Sequence, residues 1–97
     1  MAMVAEDDKR LLIYLMGLSG ETGEVSEKFK KMYRDNNGVM TAEFKEEVKK
    51  ELGDVLWYVS SIAHELGMEL SDVAHANIEK IESRKARGSQ HGNGDNR

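Results

Sequence analysis

The chain has 97 residues, no cysteine, and 14 Lys and Arg against 18 Asp and Glu, a formal net charge of -4. That length holds one small domain without a second core, and the lack of cysteine excludes a disulfide framework, a thiolate nucleophile and any zinc site built on sulfur, as suits a reducing cytoplasm. Residues 1–83 hold 10 basic and 17 acidic groups and residues 84–97 hold 4 basic and 1 acidic, so the acidic body would repel a phosphate duplex: cations or cation-bound anions are the expected partners, and nucleic acid is not.

With no proline and many Glu, Lys, Ala, Leu and Met, the sequence reads as all-α. A first helix is predicted from about Met3 to Arg34, its apolar stripe formed by Leu11, Leu15, Leu18, Val25, Phe29 and Met32. The apolar run from Leu11 to Leu18 falls well short of a membrane span, and the acidic Glu6, Asp7 and Asp8 stand where a signal peptide would be basic. Neither targeting nor membrane insertion is expected. Asp35, Asn36, Asn37 and Gly38 favour a turn, and Thr41 is the expected N-cap of a second helix reaching about Leu66, with Glu43, Glu46 and Glu47 in its early turns.

The buried stripe of that helix is Val48, Leu52, Val55, Val59, Ile62 and Leu66, and Gly67 is its expected C-terminal cap. Ser71 is expected to cap a third helix carrying Val73, Ala74, Ile78 and Ile81 inward and ending before Gly88. Residues 1–87 then form the domain, and residues 88–97, with no apolar side chain to bury, a disordered tail. Three helices of this size bury a modest core, and small scaffolds without disulfides gain burial by association. Leu56 and Trp57 make the second helix apolar on more than one side, so a helical hairpin assembling into four-helix-bundle-like dimers or tetramers is expected.

An internal echo carries the chemistry. Glu21-Thr22-Gly23-Glu24-Val25 on the first helix and Glu51-Leu52-Gly53-Asp54-Val55 on the second both read Glu-x-Gly-acid-Val. In each, the two acids share one face beside the apolar seam. An antiparallel hairpin would bring the four carboxylates to one rim, where they cannot all stay ionised without a neutralising partner. Mg²⁺ suits such a set: it takes a few carboxylates, keeps waters and bridges to phosphates, which implies metal-assisted attack on a phosphoanhydride, with Mn²⁺ as a substitute cation. Lys28 and Lys31 follow on the same face, where their ammonium groups can meet phosphate charge; Lys28 also makes a favourable helix pair with Glu24, and both readings stand. Asn77, Lys80 and Arg84 on the third helix can add a polar wall. Gly17 and Gly20 leave a groove beside the acids, and Trp57 or Tyr58 could stack there on a flat base or serve as core.

The Glu21-x-x-Glu24 pair, 26 intervening residues, the Glu51-x-x-Asp54 pair and the later Ala76-Asn77-Ile78-Glu79-Lys80 segment resemble the MazG-type nucleoside triphosphate pyrophosphohydrolases of the all-α NTP pyrophosphatase superfamily. The resemblance covers about Leu11 to Arg87. It implies Mg²⁺-dependent cleavage between the α and β phosphates to a monophosphate and pyrophosphate, in dimers or tetramers. It also implies that Glu21, Glu24, Glu51 and Asp54 are metal ligands and that Asn77 and Lys80 contact phosphate or sugar. Many relatives place a further Glu where this chain has Gly20, so orienting the attacking water falls to Glu21 or Glu24, or the metal itself supplies hydroxide. Substrate-selecting residues found upstream in longer relatives are expected from elsewhere, such as a second subunit.

An EF-hand reading of the Asn37-Gly38 turn fails, because Tyr33 and Phe44 would occupy the first and twelfth ligand positions. A ferritin-like di-metal site fails because neither acid pair ends in histidine. The rival function is a non-catalytic helical interaction module whose acidic rim binds a basic partner.

Overall fold

The computed structural model describes residues 6–91, and these form three helices joined by two short turns. Helix α1 spans Glu6–Asp35, α2 spans Ala42–Glu65 and α3 spans Leu70–His91. The fold is all-α, as the periodicity requires. Asn37 and Gly38 both adopt positive φ, 53° and 76°, which ends α1 and reverses the chain; the Asn36 side-chain amide donates to the Val39 carbonyl at 3.1 Å. Thr41 caps α2, its hydroxyl accepting from the Phe44 backbone N–H at 3.0 Å. At the other end Gly67 takes φ 79°, and the N–H groups of Gly67 and Met68 reach back to the carbonyls of His64 and Ala63 at 3.0 Å each. This double closure satisfies carbonyls that the end of a helix would otherwise leave open.

The cap of α3 differs from the expected one. Ser71 lies inside the helix; the helix begins at Leu70, and the carboxylate of Asp72 accepts from the backbone N–H of Glu69 at 2.8 Å. An acidic side chain three residues into the helix thus does the capping from within. The far end also departs from expectation, because α3 continues through Gly88 to His91. One glycine costs a helix only about 1 kcal/mol relative to alanine, too little to stop it. The rest of the expected tail, residues 92–97, lies outside the described residues.

Helices α1 and α2 form an antiparallel hairpin in steady register. From the closed end outward, the Phe29 and Phe44 rings meet edge to face at 5.2 Å, and Lys28 pairs with Glu47 at 3.5 Å. Glu21 then faces Glu51 and Asp54, Tyr14 meets Trp57 and Tyr58 with centroids 5.9 and 6.5 Å apart, and Arg10 donates to Glu65 at 3.1 Å. The third helix behaves otherwise: it packs sparsely on α2 and not on α1. Of the expected inward stripe only Val73 is half-buried, while Ile78 and Ile81 are 53% and 43% exposed and Ala74 is exposed too. The turn at Gly67 sends α3 away from the hairpin, so among the described residues no other helix covers most of that stripe. Among the described residues only Met32 and Ala63 are buried apolar side chains.

Candidate functional site

Two carboxylates enter the hairpin seam from opposite helices because each stands at the edge of its helix's apolar stripe, and the antiparallel register sets the two edges face to face. Glu21 of α1 meets Glu51 and Asp54 of α2, and one carboxylate oxygen from each lies within 4.8 Å of the other two. Glu21 and Glu51 are half-buried; Asp54 is exposed. Glu21 Oε2 is buried and finds no hydrogen-bond donor among the described residues. With both carboxylates ionised, the contact with Glu51 sets acceptor against acceptor, and it becomes a hydrogen bond only if one of them carries a proton. That contact, then desolvation, then the charges of Asp54, Glu51 and Glu24 push Glu21 above its ordinary 4.5.

A buried carboxylate oxygen lacking a donor, facing two more carboxylates, is a place where a cation would satisfy what the protein leaves open. The donor set is oxygen throughout, which suits a hard dication rather than zinc or copper.

The other acid of the first pair, Glu24, is exposed and stands outside the group of three, though its charge is felt at Glu21. The two lysines lie farther toward the closed end. Lys28 is engaged with Glu47, and with Lys31 it borders a hollow of about 240 Å³ that includes Met32, Asp35 and Phe44. Sequence reasoning missed Glu47, whose signal was its place one turn before Glu51.

The expected groove at Gly17 is filled. A Cβ there would overlap the ring of Tyr58, which lies across the helix backbone at that point. Tyr58 is therefore a packing residue, held on its other sides by Tyr14 and Trp57. Its fit to Gly17 was readable, since Gly17 precedes Glu21 by the same four residues by which Tyr58 follows Asp54. Gly20 does have open space, since beyond its own stretch of helix no atom of the described residues comes within 4 Å of a Cβ placed there, and Trp57 is 57% exposed.

The polar wall of α3 does not join the carboxylates. Asn77 and Lys80 line a groove of about 880 Å³ between α2 and α3, together with Leu56, Met68 and Val73. Arg84 is half-buried farther along α3. No helix among the described residues is long and apolar enough to cross a membrane.

No solved structure matches the chain significantly. The Gene 37 protein of Mycobacterium phage L5 is 50% identical over 82 residues, which cover 84% of this chain and 72% of that protein. Residues 9–88, the hairpin with nearly all of α3, match the model of the MazG nucleotide pyrophosphohydrolase domain, and the chain belongs to that family.

Proposed function

We propose that the protein hydrolyses nucleoside or deoxynucleoside triphosphates between the α and β phosphates in an Mg²⁺-dependent reaction, with Mn²⁺ able to substitute, and so clears unwanted nucleotides from the cytoplasmic pool. The observations that carry this reading are the convergence of one carboxylate oxygen each from Glu21, Glu51 and Asp54, on two helices, and a buried Glu21 oxygen with no donor among the described residues. Glu21, Glu51 and Asp54 would hold the cation, with Glu24 one turn away. Bound there, the cation would neutralise the cluster, polarise phosphoryl oxygens and acidify water.

Glu24 is exposed beside the cluster without belonging to it, which leaves its carboxylate for the attacking water. As the water oxygen bonds to the α phosphorus, Glu24 takes its proton, the bridge from the α phosphorus to the β-phosphate oxygen breaks, and pyrophosphate leaves. Lys31, with Lys28 once it exchanges Glu47 for phosphate, offsets charge on the departing group. The open surface at Gly20 and the exposed Trp57 edge give a base or sugar somewhere to lie. Pyrophosphate release from a panel of dNTPs and NTPs, with and without Mg²⁺, tests the proposal. Metal-dependent turnover is expected; none under any condition would leave the non-catalytic interaction module in its place.

A further inference from the structure

The hairpin seam bends one lysine back along its own helix. Phe29 sits on Phe44 and Glu21 on Glu51, a register in which Glu47 stands level with Val25 and Ser26. Lys28 nevertheless meets Glu47, Nζ to Oε1 at 3.5 Å. Its side chain therefore leans back by roughly two to three residues toward Glu21, the direction in which helix side chains tilt. Glu47 itself lies four residues before Glu51 on α2, about 6 Å along the axis. The ammonium of Lys28 is thus drawn to about one turn from the level of the three carboxylates.

The pair is loose. It is longer than the roughly 2.7–2.9 Å of a charge-assisted hydrogen bond, and the two side chains are 32% and 57% exposed, so solutes reach both. Beside it lies the hollow of about 240 Å³ that Lys28, Lys31, Asp35 and Glu47 border. Asp35 is committed elsewhere, its two carboxylate oxygens accepting from Arg34 at 2.8 and 3.0 Å. Lys31 forms no ion pair among the described residues. Of the two acids bordering the hollow, Glu47 is therefore the one that holds a lysine, and it holds the one nearer the carboxylate centre.

We propose that Glu47 is a resident competitor for the anion that Lys28 serves: its carboxylate keeps Lys28 aimed along the seam, gives way to the terminal phosphates of an incoming triphosphate, and returns as pyrophosphate leaves. The identity of the anion rests on the hydrolase reading; the competition for Lys28 does not. An ammonium without such a competitor binds pyrophosphate as readily as the triphosphate end, and uniform affinity of that kind delays release without lowering the barrier. Glu47 acts only through Lys28, which makes it a positioning residue rather than a catalytic one.

Binding of Mg²⁺-pyrophosphate to the full chain, measured by isothermal titration calorimetry, tests this without requiring turnover. An exposed ion pair changes an equilibrium constant by no more than about two- to fivefold, so Glu47→Gln should bind Mg²⁺-pyrophosphate about two- to fivefold tighter than wild type. The KM for a cleaved triphosphate should fall by the same factor without a rise in kcat. Glu46→Gln is the charge control: it neighbours Glu47 but pairs with Lys49, at 3.7 Å, and should leave the affinity unchanged. In a Lys28→Met background the gain from Glu47→Gln should vanish, whereas simple relief of repulsion would persist. Equal or weaker binding by Glu47→Gln, an equal gain in Glu46→Gln, or a gain that survives Lys28→Met overturns the proposal, as does a wild type that binds no Mg²⁺-pyrophosphate. A wild type that binds it with the expected pattern yet cleaves no triphosphate sinks the hydrolase reading and leaves the competition standing. One that cleaves triphosphates without the Glu47→Gln gain sinks the competition alone.

Discussion

Replacing Gly17 with alanine tests the hairpin seam against an internal control. In an exposed helical position, glycine to alanine stabilises by about 0.5–1 kcal/mol, because alanine has fewer unfolded conformations to lose. Gly20 is such a position, with open space where the Cβ would go. At Gly17 the same methyl overlaps the Tyr58 ring, and that ring cannot swing aside freely because Tyr14 and Trp57 flank it, with centroids 6.5 and 5.1 Å away. Overpacking of this kind costs about 1–3 kcal/mol. The helix-propensity gain is common to both variants, so the difference between them isolates the overlap: Gly17→Ala should be less stable than Gly20→Ala by about 1–3 kcal/mol. In a domain of this size that separates their melting temperatures by roughly 4–24 °C. Thermal unfolding followed by circular dichroism, at one protein concentration for both, reads the gap. If the two variants melt together, Tyr58 does not lie against α1 and the hairpin register is wrong. Shortening the ring in the Gly17→Ala, Tyr58→Leu double variant should recover part of the loss.

Asp54→Asn or Glu24→Gln should keep the helical circular dichroism while Mg²⁺-dependent turnover falls by about 10²–10⁴-fold; unfolding instead would assign those acids a structural role. Because Glu21 is held above its ordinary value by Glu51, the folded state prefers it protonated. The associated stability is therefore present at low pH and lost as pH rises through the raised value. The metal-free protein should melt lower as pH climbs above the usual carboxyl range, Glu21→Gln should flatten that fall, and Mg²⁺ should raise the melting temperature more at the upper end, where no proton competes. A Glu21→Gln profile parallel to wild type would contradict this. Gly67→Ala should destabilise by about 1–2 kcal/mol in urea unfolding, because alanine tolerates its positive φ poorly; a neutral result would mean that the turn takes another form.

The hairpin and its acids were legible because two local signals agree. Leu18, Val25 and Met32 recur at helical spacing, and the only strong break between the first two helices is Asp35-Asn36-Asn37-Gly38, of which Asp35 still closes α1. Once those are antiparallel, the register that pairs Phe29 with Phe44 places Glu21 beside Glu51 and within reach of Asp54. Periodicity says which side of a helix is apolar but not what covers it, so Val73, Ala74, Ile78 and Ile81 read the same whether the cover is the chain's own hairpin or another molecule. The use of Gly17 was missed for a related reason: a glycine in a helix signals space but not its occupant, and Tyr58 is identified only by combining the hairpin register with the equal offsets of Gly17 from Glu21 and Tyr58 from Asp54. Ser71 was expected as the cap of α3 because a hydroxyl ahead of an apolar stripe is a strong signal, yet the carboxylate of Asp72, the third residue of α3, accepts from the Glu69 N–H instead.

The turn through Leu66, Gly67, Met68 and Glu69 sets the direction of α3 almost unaided, since so little of that helix rests on the hairpin. It acts as the fulcrum of a lever. Lys80 stands ten residues beyond the start of α3, about 15 Å along its axis, and a 10° error at the fulcrum would displace it by about 2.6 Å. A shift of that size exceeds the tolerance of any direct hydrogen-bonded or ionic contact. The paired closures at Gly67 and Met68 are thus a form of long-range aiming, and substitutions in these four residues should alter what Lys80 reaches without touching it.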